Sequence, residues 1–589
     1  MPQAIPIAAA AATAVTTFAT TTLGSALISI GIGLAASYVA SRLAAGKQDS
    51  TPQEGQINIR QAVGPRRSGM GRDRIGGTAV LYEAASDGYS CDIYALHDGE
   101  IDGFEAFYLG DDLVTLDGSG VVSHPDYYHT AAGQNVVSIQ TRRGTLDQTA
   151  FGLSISKLPG VWTEAHRGLG VAALELICAP VGENDYQKAY PNGLASPTTV
   201  ARLSRVYDPR NESTAWSPNS ALGILFYLTY RYGAGLDFER HILPAIDLWA
   251  AAADVCDEAV PLAAGGTEPR YRLGGTFSHD DVPSAVLDDL LATCDGWLWQ
   301  RGDGSIGFRA GKFYEPTVTI GEEHIRGYTL QLGQAIEQTV TEVRVSYIEP
   351  AQDYAEADMD PWRNNLDAVV GRPLPRDVPL PWVRWHTQAR RLAKRISIGE
   401  AAPRRGTVTT DLYGLNAMGE RYINLSIPEL FGNEIVPVEV IDMEIDLMSG
   451  ATITWREADP NIDDWNPEAE EGTPPGTVVP FVPEATHPPA DLDAEANTFS
   501  GSTLITVTFT GDYDDRGNQI AIEYRIQDIG GGAAGTWQRS TFPASDDGAG
   551  NYSYDVGPVI AGTTYDVRVA IITASGAWTA YTDPVEVET

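Results

Sequence analysis

The chain has 589 residues with 78 acidic side chains against 40 basic ones, a formal net charge of −38, and 9% aromatic residues. At about 100–200 residues per domain this length implies several domains, and the chain is too apolar and aromatic for disorder. So acidic a surface excludes wrapping of nucleic acid, which needs clustered Lys and Arg, and would instead keep passing DNA from sticking.

Residues 2–41 carry no charged side chain. The apolar run 23–39 with its flanks reaches the ~20 residues that span a bilayer. No basic stretch precedes it, which argues against a secretory signal. Small residues such as Gly24, Gly31 and Ala35, beside Ile28 and Ile32, would let helices approach closely in lipid or in a protein bundle. Residues 1–46 are therefore expected to form a hydrophobic helical segment, a tube plug or a membrane-inserting helix. A polar linker over 46–56 follows. Arg60, Arg66, Arg67, Arg72 and Arg74 then crowd together, either as a solvated loop or as a contact with an acidic neighbour.

From 78 to 153 short apolar runs alternate with Gly, Asp and Asn turns, the pattern of antiparallel strands. The runs 171–178 and 200–207 extend it. Helical spacing predicts helices over 219–230, 246–255 and 282–294, and a basic amphipathic helix over 382–396. Strands are expected at 297–311 and 339–348, with more up to 454. No internal repeat of fixed period is present. Residues 457–495 hold eleven Asp or Glu, eight Pro and no Lys or Arg, so 456–489 reads as an extended linker or a surface-tracking arm. Residues 490–589 read as a β-sandwich with strands near 504–509, 520–526, 551–556, 565–571 and 577–581. The run 562–570 resembles the tyrosine-corner strand of fibronectin type III domains, with Tyr565 at the corner and Phe509 and Trp537 as further core residues. The fold class is thus mainly β and multidomain, with inserted helices.

Chemistry is sparse. His124, Asp126 and His129 form the one compact histidine cluster and lack a third His or Cys nearby for a metal. Ser278-His279-Asp280-Asp281 is too local to form a triad and reads as the opening of the helix that follows. The four cysteines (Cys91, Cys178, Cys256, Cys294) have no CxxC spacing and read as buried free thiols. There is no GxSxG, HExxH or P-loop. No cofactor or metal is called for, and an enzyme is not expected.

A string of turn-rich motifs runs in order through the middle of the chain: GVWTEAHRGLG at 160–170, YPNG, VYDPR, TAWSPN, RYGAG, GGTEPRYRLGG at 265–275, and the helix–strand pair at 286–311. This order resembles the tip attachment protein J family, the central tail hubs of long-tailed bacteriophages, over residues 57–455. The resemblance singles out Trp162, His166, Arg167, Tyr207, Asp208, Trp216, Gly265, Gly266, Thr267, Glu268, Pro269 and Arg270 as structural motif residues. It implies β-barrel-like hub domains in a homotrimeric ring at the virion tail tip. The partners so implied are a distal tail protein, a tape-measure protein, receptor-binding or fibre proteins and the host envelope, with DNA only in transit. Two other readings fit parts of the chain: a membrane-anchored adhesin, which explains the two ends but not the ordered motifs, and a polysaccharide-degrading enzyme, which needs an acidic pair in an aromatic cleft.

Overall fold

The computed structural model describes residues 58–589, except 60–63, 129, 132–133, 183–185, 187–188, 191–193, 195, 334–338, 365, 367–369, 447–449, 477–488, 500, 512–517, 529–531, 533, 546–549 and 573–577. The expectations for residues 1–46, Gly24, Ile28, Gly31, Ile32 and Ala35 included, lie outside these, as do Arg60 and His129. Mainly β structure dominates, in two units, 1–478 and 479–589.

In the first unit, Pro197–Asp208 is the long central strand of an eight-stranded sheet, bordered by Ile101–Leu109 and by Arg67–Met70. A four-stranded sheet follows the order Val137–Arg143, Val171–Cys178, Ser90–Asp98, Thr78–Ala84. Leu96, Leu174 and Leu176 from this sheet meet Ile101, Ala201 and Leu203 from the other in one core. The opposite face buries Ala173 and Ile177 against Phe151 and Leu158. Burial on both faces explains why 171–178 is an unbroken apolar run rather than an alternating one. Its single acid, Glu175, is fully buried and accepts the Ser154 N–H at 2.9 Å, and burial raises its pKa.

Helices α1 (Ser220–Thr229), α2 (Ile246–Asp257) and α3 (Pro283–Ala292) match the predicted spacing. The N-cap Asn219 accepts from Leu222 N at 3.3 Å and donates to Ala253 O at 2.9 Å, which ties α1 to α2. A Cβ at Gly223 would lie 2.5 Å from Leu273, so this close approach requires glycine. Trp249 of α2 stacks on Phe308, ring centroids 4.7 Å apart, and donates to Ile306 O, which seats α2 on the Trp297–Gln300/Ile306–Arg309 hairpin. A six-stranded sheet runs in the order Thr319–Gly321, Tyr422–Ser426, Val436–Asp446, Gly450–Glu457, Arg404–Thr410, Ile325–Leu332, around Ile423, Val438, Ile453 and Trp455.

The basic helix departs from its prediction. Helix α4 covers His386–Glu400, and Trp385 before it is extended. Arg384, expected inside the helix, instead makes a buried ion pair with Asp73 at 3.1 Å. The helix does not turn a cationic face to water: Arg390, Arg391 and Arg395 are buried. Acids from distant segments cover them, which helical periodicity could not reveal.

The second unit is a seven-stranded sandwich among its described residues. Ala490–Phe499, Ser502–Thr510 and Asn551–Val559 form one sheet; Gln538–Pro543, Gln519–Ile526, Thr564–Ile572 and Val585–Glu588 form the other. Ile505, Phe509, Ile522, Tyr565 and Val569 lie between them. Of the strand expected at 577–581, the described residues 578–581 make one isolated bridge, Trp578 to Ile572, and no strand. The Thr579 and Thr582 hydroxyls accept the Ile571 and Val569 N–H groups, taking places that a regular ladder would give to backbone carbonyls. Trp537 is also not core: it is half-buried on the outer side, against Arg525 and Arg568.

Candidate functional site

The motif GGTEPR forms a hairpin, Ala259–Pro261 against Thr267–Pro269, whose turn places Gly265 and Gly266 at φ +87° and +82°. Thr267, Glu268 and Pro269 form its second strand. Glu268 is the node. One carboxylate oxygen accepts from Thr387 and, at 2.7 Å, from Arg391; the other accepts from Arg272. Arg391 also donates to Arg270 O at 2.8 Å. Arg270 reaches Glu258 at 2.9 Å and Asp463 at 3.6 Å. Arg272 lies over Trp385 at 4.0 Å, and burial lowers its pKa.

The acids of 457–476 close the other side of α4. Arg395 pairs with Asp463 and, at 2.9 Å, with Asp295; the second Asp463 oxygen accepts Phe313 N at 2.6 Å. Lys394 pairs with Glu470 at 2.7 Å, and Arg390 donates to Glu470 O. Glu471 accepts the Ala263 N–H at 2.7 Å, which binds this segment to the GGTEPR turn. Asp295 also takes Arg421 at 2.8 Å, and Arg421 and Arg456 share Glu439. Burial would push the Glu439 carboxyl up, but Arg456 and Arg421 outweigh it and hold it at about 2. Residues 457–476 are therefore a strap over α4 rather than a free linker. The arrangement is a clamp in which acids and bases spend their charge on each other.

The remaining motif residues lie elsewhere. Trp162 and His166 stack at 4.6 Å in a loop where Arg167 is exposed. Tyr207 packs edge-on against Phe238, Asp208 binds Arg210 at 2.7 Å, and Trp216 donates to Gly71 O at 3.0 Å. The early arginines find acids within the chain: Arg66 pairs with Asp98 and Arg72 with Glu105, while Arg74 is buried over Tyr108. Arg67 opens the Arg67–Met70 strand.

One constellation escaped sequence reasoning. Ser68 Oγ lies 2.9 Å from His279 Nε2, and His279 Nδ1 lies 3.8 Å from Asp98. Ser68 is fully buried, Asp98 is engaged by Arg66, and the His–Asp separation exceeds a hydrogen bond, so no nucleophile is assembled. Its three members come from far-apart segments, and no local motif announces them. Asp281, expected to open α3, accepts from Ser278 N at 2.7 Å in the preceding turn, and the N-cap is Val282. The four cysteines are buried and free, and burial raises the Cys91 thiol to about 11. Among the described residues no His, Cys, Asp and Glu group suits a metal ion, and no helix is long and apolar enough to cross a membrane.

Fold and site together define a mainly β, multidomain chain in which Asp208, Glu268 and Arg270 of the motifs serve internal ion pairing. No known family profile matches it. The tip attachment protein J of Escherichia phage SECphi27 is 26% identical over 166 residues, which is 27% of this chain but 14% of that protein's length. Among solved structures, the virion of a native gene transfer agent particle has a chain similar at TM-score 0.47 and 16% identity, covering 78% of this chain and 98% of that one. The prophage MuSo2 43 kDa tail protein from Shewanella oneidensis gives TM-score 0.23 and 12% identity, over 68% and 96%. A family 76 glycoside hydrolase from a bovine Bacteroides thetaiotaomicron strain gives TM-score 0.15 and 24% identity, over 18% and 20%.

Proposed function

We propose that this chain is a structural protein of a bacteriophage virion, the central hub of the tail tip. The carrying observation is the ordered motif string between 160 and 311, beside the 26% identity over 166 residues to a tip attachment protein J. In this reading three copies of β-barrel-like hub domains, residues 57–455, close the tail tube as a ring beneath a distal tail protein. The ring meets the tape-measure protein inside and receptor-binding or fibre proteins outside, and takes part in host attachment and DNA ejection. A ring satisfies exposed strand edges, and acids facing its lumen would repel DNA in transit. Residues 490–589 are a fibronectin type III-like module, supported by the seven-strand pairing and by the Ile560 N–H that donates to the Tyr565 hydroxyl at 3.1 Å.

Residues 1–46 are helical in this reading and buried inside the particle, because the charge-free stretch 2–41, if exposed, would aggregate virions. Charge in a buried bundle or in lipid costs several kcal/mol, so Ile28→Asp with Ile32→Asp separates two roles. Defective assembly marks burial; normal particles that adsorb but fail to eject DNA mark membrane entry. The whole reading is tested on purified virions by mass measurement and immunolabelling. Three copies at the tail tip are expected, and absence of the chain from virions overturns the proposal.

A further inference from the structure

The core of the first unit brings two of the four thiols together. Cys256 lies in the last turn of α2, and Cys294 follows the end of α3. Both side chains are fully buried in one apolar cluster. The Cys294 thiol faces that of Cys256, and burial together with this neighbour pushes its pKa up. Hydrogen bonds fix the two backbones as well. Cys256 O accepts the Tyr271 N–H at 3.0 Å, the Tyr271 hydroxyl donates to Gly311 O at 2.7 Å, and Gly311 N donates to Cys294 O at 2.8 Å. Gly296 leaves the room that the Cys294 sulfur fills, since a Cβ there would lie 3.1 Å from it.

The other two cysteines make the contrast. Cys91 stands opposite Ile177, the residue before Cys178, on adjacent antiparallel strands. Their side chains nevertheless leave the sheet on opposite faces, Cys91 among Phe151 and Leu158, Cys178 among Leu176 and Tyr190. No S–S bond forms through a sheet. The first pair also has a distinctive setting. Asp295, directly after Cys294, takes Arg395 and Arg421; Glu258, two residues after Cys256, takes Arg270 and Lys312. The two thiols thus sit where both chain segments enter the ion-pair clamp.

We propose that Cys256 and Cys294 are a redox site, a latent disulfide that staples α2 to the end of α3 at the root of the clamp. The oxidant is a peroxide, small enough for a site closed to bulk water. One sulfur takes an oxygen atom from hydrogen peroxide, giving a sulfenic acid and one water. The second thiol attacks that sulfur; the S–S bond forms as the S–O bond breaks, and the hydroxyl leaves with the thiol proton as a second water. Two thiols lose two electrons and one peroxide gains them. The raised thiol pKa makes the step slow, because the thiolate is the attacking form. The bond closes the loop of residues 257–293 and so restricts the unfolded chain. The inference stands on the core of the first unit and does not require the hub reading.

The test counts thiols in the full chain. Reduced protein and protein treated with hydrogen peroxide are each unfolded in guanidinium with N-ethylmaleimide and weighed by mass spectrometry. Four adducts are expected before oxidation and two after it, with a peptide map that joins Cys256 to Cys294 and finds Cys91 and Cys178 alkylated. Thermal unfolding of the first unit should shift up by about 5 °C or more on oxidation, and dithiothreitol should reverse the shift. Cys256→Ala should abolish the shift and Cys91→Ala should retain it. The thiol count uses the unaltered chain and stands whether or not a variant folds. Four adducts after oxidation, a bridge through Cys91 or Cys178 or between chains, or sulfinic acid at either sulfur without a bridge would overturn the proposal. A Cys256–Cys294 bridge that leaves the unfolding temperature unchanged would overturn the staple.

Discussion

Glu439 and Glu268 hold the largest stakes among single side chains. Glu439 is held at about 2 in the fold against an ordinary 4.5, so its stabilising contribution is complete above the unfolded value. It is lost as the pH falls from 4.5 towards 2, a gap worth about 3 kcal/mol. Thermal unfolding across that window should show a loss of stability that Glu439→Gln reduces, the variant starting lower and titrating flatter. Glu268→Ala removes the acid between Arg272 and Arg391, which are 15% and 5% exposed. Leaving those charges uncompensated should cost about 3–5 kcal/mol in denaturant unfolding. Asp254→Ala is the control: its side chain is 70% exposed and Arg210 keeps Asp208 and Asp257, so a change within about 0.5 kcal/mol is expected.

Among elements, α4 and its strap were legible as two separate charge runs, basic at 382–396 and acidic at 457–495. That they neutralise each other was not, because periodicity reports the face of a helix and not the segment lying on it. Asp463→Ala removes the acceptor shared by Arg395 and Phe313 N. Proteolysis within 457–476 should accelerate, and the Phe313 amide should exchange faster with deuterium. Unchanged cleavage would show that Glu470 and Glu471 suffice to hold the strap. In the sandwich, Phe509 and Tyr565 lie in the core between the sheets, whereas Trp537 precedes its strand and lies over Arg525 and Arg568. Phe509→Ala should therefore cost about 3–5 kcal/mol in unfolding of the module. Trp537→Ala should cost less, about 1–2 kcal/mol of lost cation–π contact.

For the whole molecule, each unit carries its own core, with Phe509 and its neighbours forming one cluster inside the sandwich. A module of about 100 residues is large enough to fold independently. Deleting 490–589 should thus leave a folded first unit and, under the proposed hub role, assembled tails with impaired attachment. Loss of the whole tail on deletion would show that the module is needed for assembly.

The amino-acid sequence was enough for the β-rich class, the three core helices, the free thiols and the sandwich, because each depends on residues near one another in the chain: apolar period, an Asn cap, Gly and Asp turns. Pairing across the fold required coordinates. Glu268 with Arg391, Asp463 with Arg395, and Ser68 with His279 are each separated by tens to hundreds of residues, and the geometry that joins them exists once sheets and helices have packed. The same holds for burial. An arginine-rich helix has one local pattern whether water or carboxylates face it, and the surrounding fold alone supplies the carboxylates.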